Sequence, residues 1–309
     1  MHAQILRIGS RPAPSAPASP DTHPMDLAID RLAEDSAAGE GRQRARGEIR
    51  ASFSRAGART EAARVFETGG LRLRFPRAGA ECEAVLVNTG GGMAGGDRMR
   101  IDLALAPGAR VMVTTQAAEK IYRADGVGVE VGVRLAVEPG ASLVWAPQET
   151  LLFDRARLSR RLEADVAADA SLLIVEASVF GRLAHGESRI DAAFHDDWRI
   201  RRDGRLIFAE AVRLANAGAA LDRVAVGRGA RAIATLLFVD LGAPARLDEL
   251  RAALDAVVAS PGEPLEAGAG AVDGALVARA LSPSPVRLRA ALVMAMRALR
   301  GREAPRVWS

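Results

Sequence analysis

The chain has 309 residues, 49% hydrophobic and 26% charged, ordinary proportions for a globular protein large enough to bury a core without disulfide staples. Its formal net charge is only +4, and its arginines are scattered among Asp and Glu, which argues against a nucleic-acid binder, where basic residues gather on one face. Cys82 is the only cysteine, so neither an intrachain disulfide nor a cysteine metal cluster can form; no apolar run suits a membrane span, no apolar signal core opens the chain, and the protein is expected in the cytoplasm.

In chain order, residues 10–24 read SRPAPSAPASPDTHP. A segment so rich in Pro, Ala and Ser buries too little apolar surface to offset its ordering entropy. Residues 1–45 are therefore expected to form a disordered N-terminal extension, and residues 46–309 a single domain. From 46 to 240 the sequence reads as strand. MRIDLAL, RVMVTTQ, VEVGVRLAV, SLVWAPQ, SLLIVEASVF, RLIFAEAVRL and RAIATLLFV are short, rich in Val, Leu and Ile, and bounded by Gly, Pro, Asp or Asn. In RMRIDLAL, Met99, Ile101, Leu103 and Leu105 share one face of a period-two pattern.

These strands carry an internal repeat. LALAPGARVMVTTQ and LAVEPGASLVWAPQ align without gaps, placing Gly108 over Gly140; Asp169, Gly204 and Gly229 hold the same place in later segments. Each unit is a strand, a tight turn and a returning strand. A period of about 30 residues favours stacked units sharing one continuous core over a plain closed barrel. Beyond residue 240 the spacing becomes helical. LDELRAALDAVVAS (247–260) has apolar residues at 247, 250, 254, 257 and 258 and is stopped by Pro261 and Gly262. VRLRAALVMAMRALRG (286–301) has Pro285 at its start and Gly301 at its end. The expected fold is mainly β (α+β): stacked β-strand layers in a β-helix-like or sandwich-like body, with two C-terminal amphipathic helices.

NTGGGMAGGDRMRID (88–102) contains the GxGxxG spacing of a dinucleotide loop. Such a loop needs a helix after it to supply amides and dipole to the phosphate. The next residues, DRMRIDLAL, have strand periodicity, so the glycines are read instead as a tight turn with close backbone approach. The histidines, His2, His23, His185 and His195, show no paired ligand spacing. There is no GxSxG elbow, and Cys82 in GAECEAV has no histidine near it in sequence, so it reads as an inert small residue rather than a nucleophile. Polar groups remain inside apolar strands: Thr114, Thr115, Gln116, Glu119, Lys120, Tyr122, Gln148, Glu149, Glu176 and Glu187. Each lies either on a solvent face or buried and paired; inward-facing members could line a polar passage.

Four segments, in register and in order, resemble the urease accessory protein family UreD, also called UreH. They are NTGGGMAGGD, with Gly91, Gly92, Gly95, Gly96 and Asp97; TTQAAEKIYR, with Thr114, Thr115, Gln116, Lys120, Tyr122 and Arg123; PQETLLFD, with Pro147, Gln148, Glu149 and Asp154; and GRLAHGE, with Gly181, Arg182, Gly186 and Glu187. Thr89 and Gly90 stand where the family usually has prolines. The resemblance runs from about residue 46 to the C-terminus and implies a non-enzymatic scaffold for urease maturation. It implies partners, namely apo-urease subunits, UreF, and the GTPase UreG held through UreF, and no nucleic-acid or membrane partner. It implies no intrinsic cofactor, with nickel bound transiently on its way through an internal polar tunnel. Glu149, Asp154, Glu176 and Glu187 are the expected path, with Asp97 at one mouth, since spaced carboxylates pass a borderline cation without trapping it. The two C-terminal helices are read either as part of the UreF surface or as simply packing on the sheets. The competing readings are a β-rich enzyme with an unrecognised site and, further off, an arginine-rich nucleic-acid binder.

Overall fold

The computed structural model describes residues 44–77, 80–182, 186, 187 and 190–308. The extension expected over residues 1–45 therefore lies, but for its last two residues, outside the described residues. From Arg46 onward the chain winds as a solenoid of β-strands. β4 (Cys82–Asn88), β6 (Arg110–Thr115), β9 (Ser142–Trp145) and β12 (Ser171–Phe180) lie side by side and parallel in one sheet. β5 (Arg98–Leu105), β8 (Val129–Val137), β11 (Arg157–Val166) and β13 (Ala193–Arg202) do the same in a second sheet. Each coil crosses from the second sheet to the first through a tight corner. It returns past a third, narrow face made of β7 (Glu119–Ile121), β10 (Thr150–Leu152) and the end of β12.

The repeat in the sequence is the corner of this coil. Gly108 and Gly140 adopt the left-handed conformation, with φ of 69° and 66°, and each corner closes with an amide donating three residues back: Ala109 to Ala106, Ala141 to Glu138 and Ala170 to Ala167. Successive corners then bond to one another, Ser142 N–H to Ala109 O and Ser171 N–H to Ala141 O, both at 2.9 Å. Asp169 replaces the glycine in the third corner, and its carboxylate accepts the Gly140 amide at 3.0 Å. Gly204 and Gly229 depart from the expected repeat. Gly204 lies in the hairpin joining β13 to β14 (Arg205–Leu214), an antiparallel pair within one sheet, where the solenoid ends. Gly229 lies in the loop between the short helix α1 (Ala217–Asp222) and β15 (Ala232–Val239). A Gly turn that reverses the chain within a sheet looks the same in sequence as one that carries it to the next layer.

The edges are finished by antiparallel pairs. β1 (Arg46–Ala56) joins β5 in parallel and pairs antiparallel with β2 (Arg59–Thr68), while β3 (Leu71–Arg77) pairs with β4. At the far end β15, β17 (Ala275–Ser282) and β16 (Glu266–Val272) extend the first sheet beyond β12. Period-two patterning sorts the side chains. Ile101, Leu103 and Leu105 face Val111, Val113 and Leu143 between the sheets. Met112, Val144, Leu173 and Val175 point to the other face of the first sheet. That face is covered by α2 (Leu247–Ala259) and α3 (Pro285–Arg300), whose ends fall within a residue of the sequence expectation. Ser284 caps α3 and Gly301 ends it at φ 64°.

The body is thus mainly β, a solenoid-like stack with C-terminal helices. Its last turn returns to it: Trp308 is 2% exposed, and its indole N–H donates to the Ala146 carbonyl at 3.0 Å. Trp308→Ala is expected to lower the unfolding free energy by about 3–5 kcal/mol, and Trp308→Phe by about 1–2 kcal/mol, mainly through the lost hydrogen bond. Urea denaturation followed by far-UV circular dichroism measures both.

Candidate functional site

The four sequence motifs meet on the narrow third face because the coils are stacked in register. Met93 forms a parallel bridge with Ile121, Ile121 is in register with Leu152, and Leu152 with Phe180. The rungs are held by Met93 N–H to Lys120 O (2.7 Å), Tyr122 N–H to Met93 O (2.8 Å), Phe153 N–H to Ile121 O (3.1 Å) and Gly181 N–H to Leu152 O (2.8 Å). Tyr122, Phe153 and Arg182 lie outside this core. Tyr122 meets Phe153 edge-on at 5.4 Å, and the Arg182 guanidinium lies 4.3 Å from the Phe153 ring centre. The Tyr122 hydroxyl donates to the Gly91 carbonyl at 3.0 Å.

The glycines serve close approach, not phosphate binding. A Cβ on Gly92 would stand 2.5 Å from the Tyr122 ring and 2.9 Å from the Lys120 carbonyl; one on Gly95 would stand 2.6 Å from Ala124 Cβ. The chain continues from them into strand β5, as the alternation in the sequence requires.

One step inward from the apolar rungs the register brings polar groups together. Glu119, Thr150 and Ser178 are aligned across β7, β10 and β12. Asn88 donates to both Glu119 oxygens at 3.0 and 3.1 Å. Burial pushes the Glu119 carboxyl above the usual glutamate value, and the Asn88 bond offsets this only in part. Deeper between the sheets, Arg160 on β11 donates from Nε and Nη2 to Asp196 on β13, at 2.9 and 2.5 Å. Its Nη1 donates to Glu176 on β12, and Trp145 Nε1 donates to the second Glu176 oxygen at 2.8 Å. All three charged side chains are buried. Burial alone disfavours the guanidinium charge, but Asp196 and Glu176 outweigh it and raise the Arg160 pKa.

Two cavities reach this cluster. One, of about 170 Å³, runs from Asn88, Gln116, Glu119 and Gln148 past Met99 and Ile101 to Arg160 and Glu176. The other, of about 380 Å³, starts at Arg160, Glu176 and Asp196 and extends to Glu210, Glu266 and Arg279.

A model of the UreD urease accessory protein family matches residues 45–309. The chain belongs to the UreD family. Urease accessory protein UreD 3 of Methylorubrum extorquens is 53% identical over 222 residues, 72% of this chain and 73% of that relative. UreD of Xanthobacter autotrophicus is 49% identical over 269 residues, 87% and 91% of the two chains. UreD of Beijerinckia indica is 47% identical over 252 residues, 81% and 92%. The family is one of accessory proteins.

Within this UreD fold the five carboxylates expected along a cation path occupy different settings. Glu176 lines both interior cavities. Glu149 turns toward α3, where Arg289 donates to its two oxygens at 2.8 and 2.7 Å, donates to the Val307 carbonyl at 2.7 Å, and lies 4.8 Å from the Trp308 ring centre. Asp97 ties down the glycine connection, accepting the Ala94 and Ala45 amides at 2.8 Å each. Asp154 accepts the Asp191 amide at 2.9 Å. Glu187 accepts the Arg182 amide at 2.9 Å and pairs with its guanidinium, which holds the Glu187 carboxyl below the usual value.

Of the other motif residues, Thr115 Oγ1 accepts the Gln148 amide at 2.9 Å and the Gln148 side chain donates to the Gln116 carbonyl, also at 2.9 Å, so these three knit adjacent coils at the cavity mouth. Thr114 and Pro147 are buried, Lys120 and Gly186 are exposed, and Arg123 pairs with Asp125.

Sequence reasoning passed over Arg160, Asp196 and Glu210. The signal for the first two was present: Arg160 alternates with Leu158 and Leu162, and Asp196 with Phe194 and Trp198, so both have the parity of the inward face. Of the two readings of the C-terminal helices, packing on the sheet is the one the structure shows. Leu250, Leu254 and Val257 of α2 and Leu288, Leu292, Met296 and Leu299 of α3 pack on the first sheet. The apolar stripes that the other reading offers to a partner are therefore covered from within; Val258 and Val286 are the large apolar side chains of these helices that stay exposed. Among the described residues no cluster of three or more His, Cys, Asp or Glu side chains is arranged to hold a metal ion, and no helix is long and apolar enough to cross a membrane.

Two measurements check these environments. Glu119 has a higher pKa folded than unfolded, so its contribution to stability is largest below the ordinary value of 4.5 and declines as pH rises above it. Glu119→Gln is therefore expected to gain stability relative to the parent between pH 4.5 and pH 7, read as the difference in urea midpoints. Burial pushes the Cys82 thiol up to about 11, so it is expected to resist a thiol reagent at pH 7 in the folded protein and to react at once in denaturant.

Proposed function

We propose that the chain acts in urease maturation as a scaffold that binds apo-urease and recruits UreF and, through UreF, the GTPase UreG, so that nickel reaches the urease centre. It catalyses nothing itself and holds no resident cofactor. Nickel is cargo, met briefly by oxygen ligands along the solenoid interior. The work is done in the cytoplasm, without nucleic acid or membrane.

The observation that carries this reading is a set of buried carboxylates along two mostly apolar-walled cavities in a member of the UreD family. A solenoid core is ordinarily apolar between its sheets. Here Glu119, Glu176, Asp196 and Glu210 line two cavities that abut at one ion cluster. Oxygen donors spaced along a low-dielectric interior suit passage of a divalent cation, because each site attracts it and none surrounds it. The route proposed now therefore keeps Glu176 from the sequence expectation and adds Glu119, Asp196 and Glu210. Glu149, Asp154, Glu187 and Asp97 hold the walls and the mouth in shape.

The test is co-expression of urease structural subunits and the accessory set, with and without this chain, followed by nickel analysis of purified urease. Nickel content is expected to collapse without the chain and to return with it; equal nickel in both preparations sinks the reading. Glu176→Gln is expected to cut urease nickel by about tenfold or more while the complex still co-purifies. Asp196 still balances the Arg160 charge in this variant, and far-UV circular dichroism checks that it is folded.

A further inference from the structure

We propose that Arg160 closes the interior passage as a resident counter-cation, and that a divalent ion crosses only by exchanging with its guanidinium between Glu176 and Asp196. The proposal rests on the interior being a cation route.

The geometry is that of an occupied cation site. One guanidinium bridges two carboxylates that come from facing sheets, Asp196 on β13 and Glu176 on β12, and Trp145 fixes the remaining Glu176 oxygen. The two cavities abut here: among the described residues, Arg160 and Glu176 are the ones that line both. A guanidinium cannot clear the way by losing its proton, because it stays charged at any accessible pH. It has to move, and the repulsion between the two buried carboxylates it leaves is then relieved by an incoming cation or by a proton on Glu176, whose carboxyl burial already holds above its usual value.

There is room for that movement. The larger cavity opens on the Asp196 side of Arg160, walled by Phe194, whose ring centre lies 5.9 Å from the guanidinium carbon. Glu210 lines the same cavity; its Oε1 accepts from Arg279 at 3.0 Å, and its Oε2 is buried without a hydrogen-bond partner. It gives a displaced guanidinium an acceptor. A purely structural ion pair needs neither flanking cavities nor a spare acceptor, and closely packed apolar side chains replace such a pair at little cost.

The experiment uses the full chain and Ni2+ alone, in equilibrium dialysis. Arg160→Met is expected to bind one Ni2+ more than the parent, with at least about tenfold higher apparent affinity at that site, and Arg160→Met/Glu176→Gln is expected to lose the gain. The indole N–H resonance of Trp145 is expected to broaden with Ni2+ in Arg160→Met and to stay sharp in the parent. Folded Arg160→Met that binds no more Ni2+ than the parent overturns the proposal. If Arg160→Met does not fold, Arg160→Lys serves: its single ammonium reaches less of the two carboxylates, so a smaller gain at the same Trp145 signal supports the exchange and no gain overturns it. Urease nickel in the co-expressed complex separates the two levels. A nickel content that depends on Glu176, with no Ni2+ gain in Arg160→Met, leaves the route standing and removes the closure. A gain in dialysis with urease nickel indifferent to Glu176 removes the route, and with it the role of Arg160 in closing it.

Discussion

Parallel, in-register bonding of one coil to the next is the constraint on which this structure depends. Each coil leaves its backbone groups open along both edges, and the neighbouring coil satisfies them, as in the Ser171, Ser142 and Ala109 corner series. Register then becomes a positional rule: residues one coil apart are stacked, whatever their side chains. Gly92, Tyr122, Phe153 and Arg182 are adjacent on the narrow face for that reason, although they are spread over some ninety positions of chain. The same rule aligns Glu119, Thr150 and Ser178 one step inside.

Stacking also brings the interior charges into pairs, although burial still holds the Glu176 carboxyl above its usual value. A lone carboxylate between two sheets would be driven to its neutral form by desolvation. Here the sheets face each other with complementary groups, so that Asp196, Arg160, Glu176 and Trp145 satisfy one another in sequence. Toward the corners the core beside the cluster is apolar, around Leu143, Leu162 and Ile174; toward the narrow face the aligned Glu119, Thr150 and Ser178 come before the apolar rungs. The cavities reach these polar groups between mostly apolar walls, Met99, Ile101 and Val133 in the smaller one and Phe194, Trp198 and Ile233 in the larger.

The C-terminal helices cap one sheet and also hold a cavity mouth. Arg289 grips Glu149 while the neighbouring Gln148 bonds across to the Thr115–Gln116 segment. The end of the chain, through Trp308 and Ala146, is thus tied to the loop that borders the smaller cavity. The helix faces that look available in the sequence are occupied by this task.

Local pattern was enough for much of this. Period-two alternation and the recurring PG corners gave away stacked strands, Pro285 and Gly301 bracketed α3, and strand periodicity after Gly96 excluded a nucleotide loop. These properties are set by neighbours in sequence, through backbone preference and side-chain parity. The ion cluster is of another kind. Parity placed Arg160, Glu176 and Asp196 on inward faces, yet whether such charges are paired, and with which partner, depends on which coils are stacked and how far apart the sheets stand. Glu149 and Glu176 show the difference: both are carboxylates in apolar surroundings, and only the tertiary structure sends one to Arg289 on a distant helix and the other to Arg160 between the sheets. The sequence by itself determined the strands, the corners and the helix ends, because those depend on short-range sterics and burial; only the folded stack decided which buried charges meet, because that is a matter of long-range contact and desolvation.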